Sequence, residues 1–311
     1  MILTFDEALA ERPDDRQLLW IDVLGSLPAS ESSRLADRFE LDPRTREALE
    51  HPGEGPTFSI HGSYFHARVA AEPANGAAPG LSWLDVVAGT NNVVITRHTK
   101  PIAFIEDIDA RIDADANVGA LESAAFVALL FDGAVTSYFT AVDQIEDEID
   151  DLDARSLVHE DRDDLLEDLV KLRRRVGRLR RALTAHRDVF ASLAQPGIEQ
   201  LVDDEAGRDA LRAVGMRFDA AIAAVEDSRE ALIGSFDVFM TRTAQRTNDI
   251  MKILAVTTVL LLPGSLIAGL LGMNVSVPLD KDSAMSFWFV VGGVVALAVL
   301  IVFVARARRW L

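Results

Sequence analysis

The chain has 311 residues, no cysteine and a formal net charge of −18. Lack of cysteine excludes a disulfide framework and any thiolate metal site, as suits a reducing compartment. The last residues, from Gln245 onward, hold six Lys/Arg against three Asp/Glu, which leaves a formal −21 on residues 1–244. So acidic a region repels nucleic acid, attracts cations and stays soluble.

The N-terminus, Met1 to Glu7, has neither a basic n-region nor a long apolar h-region, so no cleavable signal peptide is expected. Residues 1–120 read as a mixed α/β domain, placed in the cytoplasm. Leu18 to Val23 is a short apolar run expected to be a buried strand. Thr57–Ile60 and Tyr64–Ala71 are strand-like around the turn His61-Gly62-Ser63. Trp83–Ala88 and Val93–Thr96 flank Gly89-Thr90-Asn91-Asn92, a second hairpin signal. Ala74–Gly80 reads as a loop. Ser30, after Pro28, is the best N-cap in this region, opening a short helix that contains Ser33 and Leu35. His61 and His66 are expected to be surface histidines rather than metal ligands.

From Leu121 the pattern becomes helical, and 121–250 is expected to be a helical region ending in a stalk. Phe126, Leu129, Leu130, Val135 and Phe139 recur at near-helical spacing. A dense acidic stretch follows, with Glu146, Asp147, Glu148, Asp150, Asp151 and Asp153. A basic run, Lys171 to Arg181, comes next. Two antiparallel helices turning near Ser156–Glu160 would set the two stretches side by side. That disposes of the basic run more simply than a nucleic acid or lipid does, since no aromatic residue interleaves the arginines. After Pro196-Gly197 a last helix is expected from near Glu199, unbroken by proline until Pro263. No glycine-rich phosphate loop, nucleophile with a base or clustered His/Glu spacing is evident, so the chain does not read as an enzyme.

Residues 251–311 hold two uncharged stretches, Ile253–Leu271 and Ala284–Ala305. Each is long enough, at about 1.5 Å per residue, to cross a hydrocarbon core of roughly 30 Å. Arg242, Arg246 and Lys252 precede the first, and Arg306, Arg308 and Arg309 follow the second. The loop Gly272–Ser283 carries only Lys281 against Asp280 and Asp282. The positive-inside rule therefore puts both termini in the cytoplasm and the loop outside, in a cell's inner membrane. Two spans cannot enclose a polar path, so conduction needs several copies around an axis. Steps of three and four along the first span give Asp237, Thr241, Ala244, Asn248, Met251, Leu254, Thr258, Leu262, Ser265 and Gly269. This face is polar and small, interrupted by bulky apolar residues. It favours a pore lining over the alternative, close packing between helices.

Asn248 to Leu254, Pro263, Ile267-Ala268-Gly269, Gly272-Met273-Asn274 and the terminal Arg309-Trp310-Leu311 stand in an order and spacing that resemble the CorA family of divalent-cation transporters. The match runs from Asp237 to the end, with Trp20-Ile21-Asp22 and Pro56–Val69 as weaker features upstream. The resemblance implies an α+β cytoplasmic domain, a long stalk helix and two C-terminal transmembrane helices, assembled as a homopentamer that carries Mg²⁺. Co²⁺ or Ni²⁺ would be passengers, the bilayer its other partner, and no cofactor is implied apart from Mg²⁺ as a transported and regulatory ion. It further implies that Gly272, Met273 and Asn274 form the selectivity filter, with Asn274 meeting the ion through its hydration waters. Asp237, Asn248, Met251, Leu254, Thr258, Leu262, Ser265 and Gly269 would line the pore, Asp237 also meeting the metal.

There are departures. The loop after Asn274 reads Val275-Ser276-Val277-Pro278-Leu279-Asp280 where family members often carry acidic residues, so Asp280 and Asp282 are expected to attract cations instead. Ser265 and Leu262 stand at a family threonine and methionine. Ala213, within Arg212–Arg217, stands where well-known members hold a regulatory acid, leaving Asp209 and Asp219 as the nearest carboxylates. A zinc transporter of the same family, proton-coupled, and a non-conducting membrane-anchored assembly are the competing readings.

Overall fold

A computed structural model describes residues 5–11, 17–51, 53–73, 81–114, 123–157, 162–195, 198, 201–202, 205–272 and 284–307. The chain divides into two compact units, Met1–Ser235 and Phe236–Leu311. The division falls within one helix, nearer the N-terminus than the change in composition at about residue 250.

In the first unit, α1 (Phe5–Ala10) precedes β1 (Leu19–Leu24), α2 (Ala29–Phe39), α3 (Pro43–Glu50), β2 (Thr57–His61), β3 (Tyr64–Ala71), β4 (Ser82–Gly89), β5 (Val93–His98) and α4 (Ala103–Ala114). Three long helices follow: α5 (Ser123–Leu157), α6 (Arg162–Ser192) and α7 (Glu205–Leu271), the last of 67 residues. The sheet order is β1-β5-β4-β3-β2, with β1 parallel to β5 and the other pairs antiparallel. Both expected hairpins form. Gly62, at φ 53°, takes the left-handed conformation that the tight β2–β3 turn needs. A side chain on Gly89 would press on the Ser63 carbonyl, which is why the strand ends in glycine.

Each face of the sheet has its own helical cover. Leu19, Ile21, Tyr64, Val87, Val93 and Ile95 pack with Leu35, Phe39 and Leu49 of α2 and α3. Toward α5, Trp20 meets Phe126 edge-on at 5.1 Å. Beyond it, Phe131, Phe190 and Phe218 join α5, α6 and α7 in one fully buried cluster, Phe190 stacked on Phe218 at 4.0 Å. With helices on both sides, β3, β4 and β5 are buried almost throughout, polar residues included.

Three expectations in this region are corrected. The N-cap of α2 is Pro28, with no side-chain cap, and Ser30 lies inside the helix. The helix opens on proline's fixed φ rather than on a serine hydroxyl. Helices α3 and α4 were not expected. Asp42 accepts the Arg44 N–H at 2.8 Å with Pro43 in the first turn of α3, a start signal that was legible. His66 is not a surface residue, being only 5% exposed with Nε2 2.9 Å from Asp85 Oδ1.

That histidine belongs to a buried ionic cluster. Strand register sets Arg68 beside Asp85 and Asp85 beside Arg97. Arg68 Nε donates to Asp85 Oδ1 at 2.7 Å, and Arg97 Nη1 to Oδ2 at 2.8 Å. Arg97 Nε also donates to the Gly25 carbonyl at 2.7 Å, tying β5 to the end of β1. Burial by itself raises the Asp85 carboxyl. The hydrogen bond and charge of His66, with those of Arg68, outweigh it and hold the group below its usual value.

Past the end of β2, the β3 edge is satisfied by side chains from the helices. Ala70 N–H donates to His186 Nε2 at 2.8 Å, and Tyr138 Oη donates to the Ala70 carbonyl. His186 Nδ1 lies 2.6 Å from the Ala182 carbonyl, so the proton sits on Nδ1 and Nε2 accepts. Burial lowers the His186 pKa, only partly offset by that carbonyl. A depressed histidine contributes stability that is whole above its unfolded value and is lost as pH falls through the folded one. The urea midpoint of the native chain, relative to a His186→Gln variant whose amide oxygen accepts without titrating, should therefore drop between about pH 8 and about pH 5. A constant difference would mean that His186 takes up its proton as readily in the fold as in the unfolded chain, so that its burial does not disfavour the charged form.

Candidate ion pathway

The second unit holds the end of α7 and α8 (Ala284–Ala307). Among the described residues three helices are long and apolar enough to cross a membrane: α5, α7 and α8. Half of the apolar window of α5 is buried inside the protein, with Phe126, Val127, Leu130 and Phe131 sealed in the core. Among the described residues none in the windows of α7 and α8 is buried, so these two need an apolar solvent.

The faces of α7 are unequal. Lys252, Val256, Leu260, Pro263, Gly264 and Ile267 are half-buried, recurring in steps of three and four. This is the side toward α8: an added Cβ on Gly264 would lie 3.6 Å from Val294 Cγ1, and Val256 and Val259 line an apolar cavity of about 330 Å³ with Leu300, Ile301 and Val304. The expected pore residues Asp237, Asn248, Met251, Leu254, Thr258, Leu262, Ser265 and Gly269 are all exposed. At 100° per residue the stretch Met251–Gly269 of this set centres on the side opposite α8. Met251, Leu254 and Leu262 stay 61%, 65% and 60% exposed.

Polar groups here are few and mostly self-satisfied. Thr258 Oγ1 donates to the Leu254 carbonyl at 2.8 Å, which leaves its lone pairs facing outward. Lys252 Nζ sits 2.9 Å from Asp249 Oδ1 where the apolar stretch begins. Pro263 has no N–H, so the Val259 carbonyl loses its helical donor. The Gly272 N–H bonds the Ala268 carbonyl at 3.0 Å and closes α7. Met273, Asn274, Asp280 and Asp282 lie outside the described residues. Ala213 is exposed on α7. Nearby, Arg212 pairs with Asp209 at 3.1 Å and Arg217 with Asp132, so both cations there are engaged with acids of the same chain. Among the described residues no group of three or more His, Asp or Glu is arranged to hold a metal.

An α/β unit, a single long helix and a second apolar helix, with both apolar stretches bare, mark a membrane protein. The chain belongs to the CorA-like Mg²⁺ transporter family, whose model matches residues 15–306. It is 27% identical over 188 residues to the cobalt/magnesium transport protein CorA of Thermotoga maritima, covering 58% of this chain and 51% of that protein. It is 28% identical over 221 residues to the divalent cation transporter CmaX of Pseudomonas aeruginosa, covering 70% of this chain and 64% of the relative. The matches thus span between half and two thirds of these relatives. The fold is that of the CorA magnesium transporter from Methanocaldococcus jannaschii, with a TM-score of 0.75 at 22% identity over 96% of this chain and 93% of that one.

Proposed function

We propose that this chain conducts Mg²⁺ into the cytoplasm as a homopentamer, driven by the membrane potential, with Co²⁺ or Ni²⁺ as passengers. What carries the reading is the exposed face of α7, which turns Thr258 and Ser265 away from α8 together with large apolar residues, with Asn248 exposed as well. A single copy leaves that face without cover. Five copies around an axis would turn it inward, α8 outward to lipid, and both termini to the cytoplasm.

In that arrangement Asn274 presents a ring of neutral amide oxygens at the outer mouth. Mg²⁺ sheds water reluctantly, and such a ring hydrogen-bonds the first-shell waters without stripping them. Asp280 and Asp282 raise the local cation concentration, while Gly272 and Met273 shape the turn that holds Asn274. Below the mouth, Gly269, Ser265 and Thr258 supply small or polar rings, and Leu262, Leu254 and Met251 an apolar constriction that closes by dewetting. Asn248 and Asp237 receive the ion at the inner end. Cytoplasmic Mg²⁺ bridging acidic surfaces of neighbouring copies would hold the pore shut, at carboxylates other than the position taken by Ala213.

The test is flux into liposomes carrying the purified protein, with Mg²⁺ and Zn²⁺ compared under an imposed potential and an imposed pH gradient. Mg²⁺ flux that follows potential alone is the expected result. Zn²⁺ flux enhanced by a proton gradient would replace this reading with proton-coupled zinc transport. No flux of either ion would leave a non-conducting assembly.

A further inference from the structure

The cavity of about 330 Å³ between α7 and α8 lies at the charged end of the two apolar stretches. Ala255, Val256 and Val259 wall it on one side, and Leu300, Ile301 and Val304 on the other. Lys252 stands one turn before Val256, and Arg306 two residues after Val304. At 100° per residue Lys252 falls within about 20° of the centre of the α7 wall, so it sits on the cleft's side of the helix. It is half-buried, and Asp249 Oδ1, 2.9 Å from its Nζ, engages one of the three N–H donors. With the exposed Arg246 and Arg306, this end holds three cations against Asp249.

Each wall runs only about 6 Å along its helix, at 1.5 Å per residue. A helix from another copy is about 10–12 Å across with its side chains and needs a groove several turns long. Toward the middle of the apolar stretch the pair closes up, since an added Cβ on Gly264 would lie 3.6 Å from Val294 Cγ1. Every lining residue is apolar, so a hydrated ion or a polar small molecule finds no hydrogen-bond partner among those side chains. A short apolar cleft, closed at its deep end and cationic at its mouth, matches a flexible hydrocarbon chain that carries an anionic head.

We propose that this cleft is a binding site for an anionic phospholipid, drawn from the leaflet on the side of Lys252 and Arg306. One acyl chain lies between α7 and α8, packed against the valines and leucine by dispersion. The phosphate takes the donors of Lys252 that Asp249 leaves over, and Arg246 and Arg306 add to the attraction for negative charge. The site needs α7 and α8 to span a bilayer, and it does not depend on which ion the protein carries or on how that transport is driven.

The full-length protein, stripped of lipid in detergent, is offered phosphatidylglycerol or phosphatidylcholine in mixed micelles. Native mass spectrometry then counts the lipids that each chain retains. Phosphatidylglycerol should be retained about tenfold better than phosphatidylcholine, since several cations face its net charge. The double variant V259F/V304F fills the cleft and should abolish retention of both lipids, whereas V299F, on the far side of α8, should leave it unchanged. K252Q alters only the mouth and should remove most of the preference for phosphatidylglycerol. Retention that survives V259F/V304F, or falls equally with V299F, means lipid that merely surrounds the protein and overturns the site. A lower particle mass in V259F/V304F means that a second copy occupies the cleft, which overturns it as well. A preference undiminished in K252Q overturns the phosphate contact and the proposal with it.

Discussion

Replacing Asp85 by alanine should destabilise the N-terminal unit by about 3–5 kcal/mol, the cost of removing one member of a buried ionic group. Asp85 and Arg97 are completely buried, and Arg68 is 5% exposed. Without the carboxylate, two guanidinium groups remain in a sheet with helices on both faces, and neither side chain can reach water without opening a strand. Arg97 Nη2 has no hydrogen-bond partner among the described residues even in the intact cluster, so there is no slack to take up the lost acceptor. Simultaneous replacement of Arg68, Asp85 and Arg97 by Met, Leu and Met should cost far less, because desolvation is removed with the charges. Urea unfolding of the full-length protein, followed by the fluorescence of Trp20 and Trp83, measures both. Equal losses would show that packing and not charge holds this region. Acid acts in the same direction. The Asp85 contribution is whole above the unfolded value near 3.8 and is lost as pH falls through the lower folded value.

The second large effect is expected at the proposed mouth. Asn274→Ala removes a carbonyl from every copy in the ring. A hydrogen bond to a charged group is worth about 1.5–3 kcal/mol, so losing even one lowers ion occupancy about tenfold or more. Mg²⁺ uptake into liposomes should fall accordingly, with normal assembly by size. Asn274→Asp separates positioning from affinity. A carboxylate ring binds the ion harder, so half-saturation should move to lower Mg²⁺ while maximal flux falls, because conduction needs exit as well as entry. Unchanged flux in Asn274→Ala would remove the amide ring from the mechanism.

Both predictions depend on residues that differ in how far the chain announces them. Asn274 stands in a short loop between two uncharged stretches, a context visible along the chain. Asp85 and Arg97 carry a weaker signal: each is a charged residue inside an otherwise apolar strand, which asks for a partner but does not name it. Arg68 and Arg97 lie 17 and 12 residues from Asp85, and only the order β5-β4-β3 brings all three abreast. His186 is harder still, since it acts on an amide 116 residues away.

What the amino-acid sequence by itself determined is local or one-dimensional. The length of an uncharged run decides that α7 and α8 can cross a bilayer, glycine in His61-Gly62-Ser63 decides the β2–β3 turn, and period 3.6 decides the long helices. These properties depend on neighbours a few residues apart, so they are written along the chain. Tertiary structure alone decided which charges meet. Of the acidic and basic runs expected to neutralise each other, the paired residues across the hairpin are Arg155, Asp168, Arg175 and Glu148, while Asp143, Asp147, Asp150, Arg174, Arg178 and Arg181 face outward. The reason is rotational. A helix turns 100° per residue, so the apolar rows that bury α5 against α6 and α7 also dictate which side every charge takes.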